Sequence, residues 1–160
     1  MGTLTKNFNW FEVTRLQPQT LSDDIRANIK KLAVEILQPA RDNLQKPIHI
    51  NSWYRDPIHN ASIGGASNSQ HLYGDAVDIY VDGFSGLELF DYFVKNYGNK
   101  LGGIGLYYNE NEKQTFIHID QRKRLNNSIT AWYQTSSGVY TSPNKAMVNI
   151  FTKYNCKWEG

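Results

Sequence analysis

The sequence predicts an α+β fold in a single small domain, with helices packed on a mostly antiparallel central sheet. Three observations predict it. Two segments, 22–44 and 85–97, carry apolar residues at helical spacing behind N-cap signatures. Four short runs, 48–54, 76–81, 103–108 and 115–120, read as strands bounded by Gly, Pro, Asn or Asp. At 160 residues the chain is long enough for one domain with a real core and too short for two comfortable ones.

The elements follow in order. Residues 1–20 mix Phe8, Trp10, Phe11, Val13 and Leu16 with polar side chains and read as an irregular arm laying aromatics on the core. Ser22 is an N-cap, and Asp23 and Asp24 place negative charge at the positive end of the helix that follows. Ile25, Ile29, Leu32, Ala33, Ile36, Leu37, Ala40 and Leu44 form its apolar face. Pro39 lies inside this pattern and should kink the helix or end its first part. Ile48–Tyr54 reads as a strand, Asp56–Asn68 as a loop punctuated by Pro57, Gly64 and Gly65, and Ala76–Val81 as a second strand. Ser85 and Glu88 form a capping box for a helix whose buried face is Leu89, Phe90, Phe93, Val94 and Tyr97, stopped by Gly98. Gly103–Tyr108 and Thr115–Asp120 should pair as a hairpin across the polar turn Asn109–Lys113. Beyond Arg122 the pattern is mixed, with a helix expected around Asn144–Tyr154.

Composition narrows the function. The apolar fraction is 40 %, and ten Tyr and four Trp supply large core side chains, which excludes a disordered chain. Lys and Arg number 17 against 15 Asp and Glu, a net charge of +2, and no basic helix stands out, so nucleic acid is not an expected partner. A lone Cys156 excludes an internal disulfide and a Cys-rich structural zinc site. No run has the ~20 apolar residues of a membrane span, and the first residues do not read as a signal peptide. Nothing in the pattern specifies an oligomeric state.

The chemistry-bearing residues concentrate in two segments. Ser69-Gln70-His71-Leu72-Tyr73-Gly74-Asp75-Ala76-Val77-Asp78 offers an imidazole and a carboxylate seven residues apart with a glycine turn between them. Phe116-Ile117-His118-Ile119-Asp120 offers a second imidazole, with Asp120 on the same strand face as His118. Two imidazoles and a carboxylate are the ligand set of a catalytic zinc site with one open position. His49 and His59 lack such a setting and read as ordinary surface or core histidines.

Ser69–Asp78 resembles the signature of the zinc D-alanyl-D-alanine carboxypeptidase family, bacterial and phage peptidases that cut peptidoglycan stem peptides and share a fold with the hedgehog signalling domain. The likeness extends to Ser52-Trp53-Tyr54-Arg55-Asp56-Pro57, Asn60 and Gly64-Gly65-Ala66, and to Gly103-Ile104-Gly105-Leu106-Tyr107 and Phe116–Asp120. It covers roughly residues 45–122. The resemblance implies one Zn²⁺ held by His71, Asp78 and His118. It implies that Arg55 meets the scissile carbonyl oxygen or the substrate carboxylate, a role suited to a permanently charged guanidinium. Ser69 and Trp132 join Arg55 as candidate substrate contacts, although Ser69 and Gln70 also suit orienting the His71 loop. Trp53, Tyr54, Trp132 and Tyr133 could line a cleft or sit in the core.

The general base departs from the family pattern. Some members carry an acid or a histidine a few positions before the third ligand; here those positions are Lys113, Gln114, Thr115 and Phe116. Asp120 is the candidate that remains, as base or as a support for His118 and Arg122, with Glu110 and Glu112 on the preceding turn as rivals. Asp75 reads as a solvated loop residue, and Lys123-Arg124 as a solvated edge. The expected activity is hydrolysis of peptidoglycan stem or cross-bridge bonds next to D-amino acids, at the cell wall. The competing reading, favoured by the missing base, is a non-catalytic zinc-containing wall- or protein-binding module of the same fold.

Overall fold

Ser22 opens the long helical segment. Its hydroxyl accepts the Ile25 N–H, and α2 (Asp23–Leu32) follows. In this computed structural model, which describes residues 2–14, 20–109, 114–135 and 141–159, α2 does not stop at Pro39. A π-helical turn, Ala33–Leu37, intervenes, and α3 (Gln38–Leu44) continues the segment. The Gln38 N–H reaches back to the Ala33 carbonyl, five residues away. Proline has no N–H and crowds the preceding turn, so the ladder widens just before it while the helix persists. Ile29, Leu32, Ala33, Ile36, Leu37 and Ala40 are fully enclosed, which bears out the apolar face read from the periodicity. Their burial holds the segment together across the register change.

The chain divides into two compact units, Met1–Asp78 and Ile79–Gly160, with the cut inside strand β2 (Ala76–Tyr80). In the first unit the expected arm contains a short helix, α1 (Trp10–Val13), closed by a capping box of Asn9 and Glu12. Phe8, Trp10 and Val13 are buried and Phe11 is exposed; Leu16 lies outside the described residues. Strand β1 (His49–Ser52) is shorter than expected. The stretch expected to be loop after Asp56 contains a helix, α4 (Pro57–Ser62). Asp56 accepts the His59 N–H at 2.9 Å and Pro57 supplies a preset φ at the first turn. A 3₁₀ turn, Gln70–Tyr73, leads into β2.

In the second unit α5 (Gly86–Tyr97) has the expected capping box of Ser85 and Glu88. It packs on β3 (Gly103–Asn109) and β4 (Gln114–Asp120), which pair antiparallel as the expected hairpin. Ile104, Ile117 and Ile119 are fully buried. After Arg122 come a strand the sequence reading did not resolve, β5 (Ile129–Thr135), then α6 (Lys145–Lys153) and β6 (Cys156–Trp158). β5 pairs parallel with β3, and β6 parallel with β5. The six strands run in the order β1-β2-β4-β3-β5-β6, and the fold is α+β. Among the described residues no helix is long and apolar enough to cross a membrane.

Candidate metal centre

The first half of the site is built around the turn that carries His71. The Ser69 hydroxyl accepts the His71 N–H at 3.3 Å and starts the turn. Gly74 ends it at φ 73°, in the left-handed region, where a side chain would also meet Ile29 Cγ1 at 2.7 Å. The residues leaving β1 fix this turn in place. The His71 carbonyl accepts the Arg55 N–H at 3.1 Å, and the Gly74 carbonyl accepts the Trp53 indole N–H at 3.2 Å. The Trp53 carbonyl lies 2.6 Å from His71 Nδ1. A carbonyl can only accept, so Nδ1 carries a proton, which leaves Nε2 as the nitrogen able to offer a lone pair to a metal.

Nε2 of His71 faces the Asp78 carboxylate, 3.2 Å from each oxygen. Ligands about 2.1 Å from a tetrahedral zinc stand about 3.4 Å apart, so this separation suits two donors to one ion. Arg55 donates from Nη2 to Asp78 Oδ2 at 3.1 Å and from Nε to the Ser52 hydroxyl at 2.9 Å. The guanidinium is thereby held beside the carboxylate with its side chain 17 % exposed.

The second half lies on one face of β4. Phe116, His118 and Asp120 alternate with the buried isoleucines and stand opposite Tyr107, Gly105 and Gly103 of β3. Both glycines are places of close approach. A Cβ on Gly105 would overlap the Trp132 indole, and one on Gly103 would lie 2.6 Å from Asp120 Oδ2 and 2.7 Å from Arg122 Nε. The missing side chains thus leave room for Trp132 beside His118, with ring centroids 5.1 Å apart, and for the Asp120 carboxylate. Trp132 is itself buried and donates to the Tyr107 hydroxyl at 2.8 Å.

Asp120 is fully buried. Its Oδ2 lies 2.8 Å from His118 Nε2 and accepts Arg122 Nη2 at 2.6 Å, while Oδ1 accepts the Arg122 backbone N–H at 3.0 Å and Nε at 2.9 Å. Burial opposes its charge most strongly of any one cause. The hydrogen bonds from His118 and Arg122 with their charges together outweigh it and hold the carboxyl well below the usual carboxylate range. Arg122 also stacks on Trp132, its guanidinium carbon 5.0 Å from a ring centroid.

His71, Asp78 and His118 are all buried, and one ligand atom from each lies within 4.8 Å of the others. Two imidazole nitrogens and one carboxylate oxygen are a donor set that zinc favours, and together the three can hold one ion. The other candidates fall in different places. Trp53 is in the core, and Tyr54 is half-buried with its hydroxyl pKa raised, by burial first and by Asp56 second. Thr115 accepts the Gly86 N–H at 2.9 Å and Phe116 stacks on Tyr107, so neither offers a base. Glu110, Glu112 and Lys113 lie outside the described residues. Two elements of the site escaped the sequence reading. The Trp53 carbonyl, being backbone, leaves no residue-type signal. The alternating Gly103 and Gly105 opposite Asp120 and His118 were a visible sign of close approach inside a strand.

The family described as peptidase M15 matches residues 6–120, well over half of the chain. The chain belongs to the peptidase M15 family. It is also similar to the zinc D-Ala-D-Ala carboxypeptidase of Streptomyces albus G, with 50 % identity over 34 residues, which is 21 % of this chain and 13 % of that protein. Family membership and the buried His-Asp-His group agree on a zinc metallopeptidase with a site for one ion.

Proposed function

We propose that this M15 peptidase hydrolyses peptidoglycan stem or cross-bridge peptides at bonds next to D-amino acids, acting at the cell wall as a single zinc peptidase domain. The observation that carries the reading is the buried group of His71, Asp78 and His118 in a chain of this family. The partial likeness to a zinc D-Ala-D-Ala carboxypeptidase supports the substrate class.

His71 and Asp78 would hold zinc through Nε2 and a carboxylate oxygen, and His118 through Nδ1, because Asp120 engages its Nε2. When bound, zinc supplies Lewis acidity, which polarises a carbonyl and lowers the pKa of water toward ~7. Arg55 would then meet the negative charge that develops on the carbonyl oxygen, or the terminal carboxylate of a substrate. Its bond to Asp78 keeps that charge pre-positioned. Asp120 supports the site by fixing the His118 ring and its tautomer. A carboxylate already saturated by Arg122 and His118, and ionised at far lower pH than usual, is a poor acceptor for another proton. The proton passing from water to the leaving amine falls to another carboxylate, for which Glu110 and Glu112 are the sequence candidates. Ser69 acts by holding the His71 turn, and Trp132 by bracing His118.

The test is incubation of zinc-loaded and chelator-treated protein with purified wall fragments, followed by mass spectrometry of new amine ends. The reading expects cleavage that disappears with the metal and returns with added Zn²⁺. Full activity in metal-free protein would refute the metallopeptidase mechanism. The absence of a base at Thr115 and Phe116 favours a second reading, a zinc-containing module that grips wall peptides without cutting them. Saturable binding with no product under any metal would select it.

A further inference from the structure

A pocket of about 520 Å³ lies wholly within the second unit, in the volume range of small-ligand sites. Its polar lining comes from Lys95, Arg124 and the asparagines at 96, 99, 127 and 155, over an apolar floor of Val94 and Ile129. No carboxylate lines it among the described residues. We propose that this pocket binds an acidic saccharide, at a site separate from the metal ligands.

The C-termini of α5 and α6 reach the pocket at Gly98 and Tyr154, each bringing roughly half a negative charge. Lys95 and Arg124 bring one full positive charge each, and neither has an ion-pair partner among the described residues. The balance is about +1, which suits a monoanion. Arg124 is also held still. Its Nε donates to the Leu101 carbonyl at 2.9 Å, which fixes the guanidinium at the pocket wall. A pinned guanidinium is preorganised for an anion.

The asparagines point to hydroxyls beside the charge. Each carboxamide offers both a donor and an acceptor, matching neighbouring hydroxyls of a sugar, which are both as well. Asn127 and Asn155 have a backbone reason for their identity, with φ of 58° and 55° in the left-handed region that Asn tolerates. Asn99 has no such reason, and the Asn96 amide nitrogen donates to the Tyr92 carbonyl at 2.8 Å, leaving its oxygen toward other donors. A purely anionic ligand would need the cations and not four carboxamides. A hydroxyl-rich anion uses both.

The experiment is an NMR titration of the ¹⁵N-labelled, zinc-loaded protein with sodium glucuronate, with glucose, and with sodium acetate at matched ionic strength. Glucuronate is expected to give saturable shifts at the amides of Lys95, Asn99, Asn127 and Asn155, with glucose and acetate each weaker by about tenfold. Lys95→Gln, at an exposed position, is expected to weaken glucuronate about threefold and leave peptide hydrolysis unchanged. Arg124→Gln is expected to weaken it about tenfold. No saturable shift, shifts located elsewhere, an equal response to acetate or glucose, or unchanged binding in K95Q and R124Q would overturn the proposal. Because the readout is binding and not hydrolysis, its failure leaves the peptidase reading intact, and the converse also holds.

Discussion

Replacing Asp120 by Asn keeps the shape of the side chain and removes its charge. Among the described residues every hydrogen-bonding neighbour of this carboxylate is a donor: His118 Nε2 at 2.8 Å, and Arg122 through its backbone N–H, Nε and Nη2. A carboxamide has one oxygen and one NH₂, so either orientation turns a donor against a donor. If the NH₂ faces His118, the ring can accept at Nε2 only by carrying its proton on Nδ1, the nitrogen assigned to the metal. Hydrogen bonds to charged groups contribute about 1.5–3 kcal/mol each, and about two are lost. The Arg122 side chain is 27 % exposed, so water recovers part of its solvation. The expected destabilisation of metal-free protein is therefore ~2–4 kcal/mol, read by urea unfolding. Zinc affinity, read by competition with a chromogenic chelator, should fall ~10–100-fold.

The pH dependence has a definite sign. The native carboxyl pKa is depressed, so its contribution is fully present above the unfolded value of ~3.9 and is lost as pH falls through the folded value. The stability gap between wild type and Asp120→Asn should therefore narrow below about pH 4. Wild-type stability and wild-type zinc affinity in the variant would refute the bracing role of Asp120.

Three further outcomes follow from the same geometry. His71→Ala should lose zinc, whereas Arg55→Ala should keep it and lose about 10²–10³-fold in kcat, so zinc content and turnover measured on both would expose a wrong assignment. Gly105→Ala drives a methyl into the Trp132 indole and should cost ~1–3 kcal/mol, with a changed tryptophan spectrum; an unchanged spectrum and stability would mean that the slot is not filled as described. Burial pushes the Cys156 thiol up to about 11 against a smaller opposing pull from Arg124, so iodoacetamide at pH 8 should label the native protein on the order of 100-fold more slowly than the unfolded chain. Equal labelling rates would contradict that environment.

The sequence by itself determined the periodic parts. Helix 22–44 and helix 85–97 were legible because burial on one face imposes a 3.6-residue spacing, and Ser22 and Ser85 mark their starts chemically. The hairpin of β3 and β4 was legible from strand composition around a polar turn. The candidate ligands His71, Asp78 and His118 stood out through the motif settings Ser69–Asp78 and Phe116–Asp120, and not as isolated histidines. Local chemistry also fell short in places. Asp56-Pro57 is a helix start that reads equally well as a loop, and Pro39 sits in a segment whose apolar contacts outweigh a lost backbone bond.

Only the tertiary structure decided the rest. Residues 129–135 become a strand by pairing parallel to β3, a partner more than twenty positions away that no local pattern announces. The role proposed for Asp120 rests on the same kind of fact. As a residue type it serves as base or support, and the support role proposed above rests on its burial opposite Gly103 between His118 and Arg122. The proton affinity of a carboxylate is set by the charges and donors around it, and those come from distant parts of the chain brought together by packing.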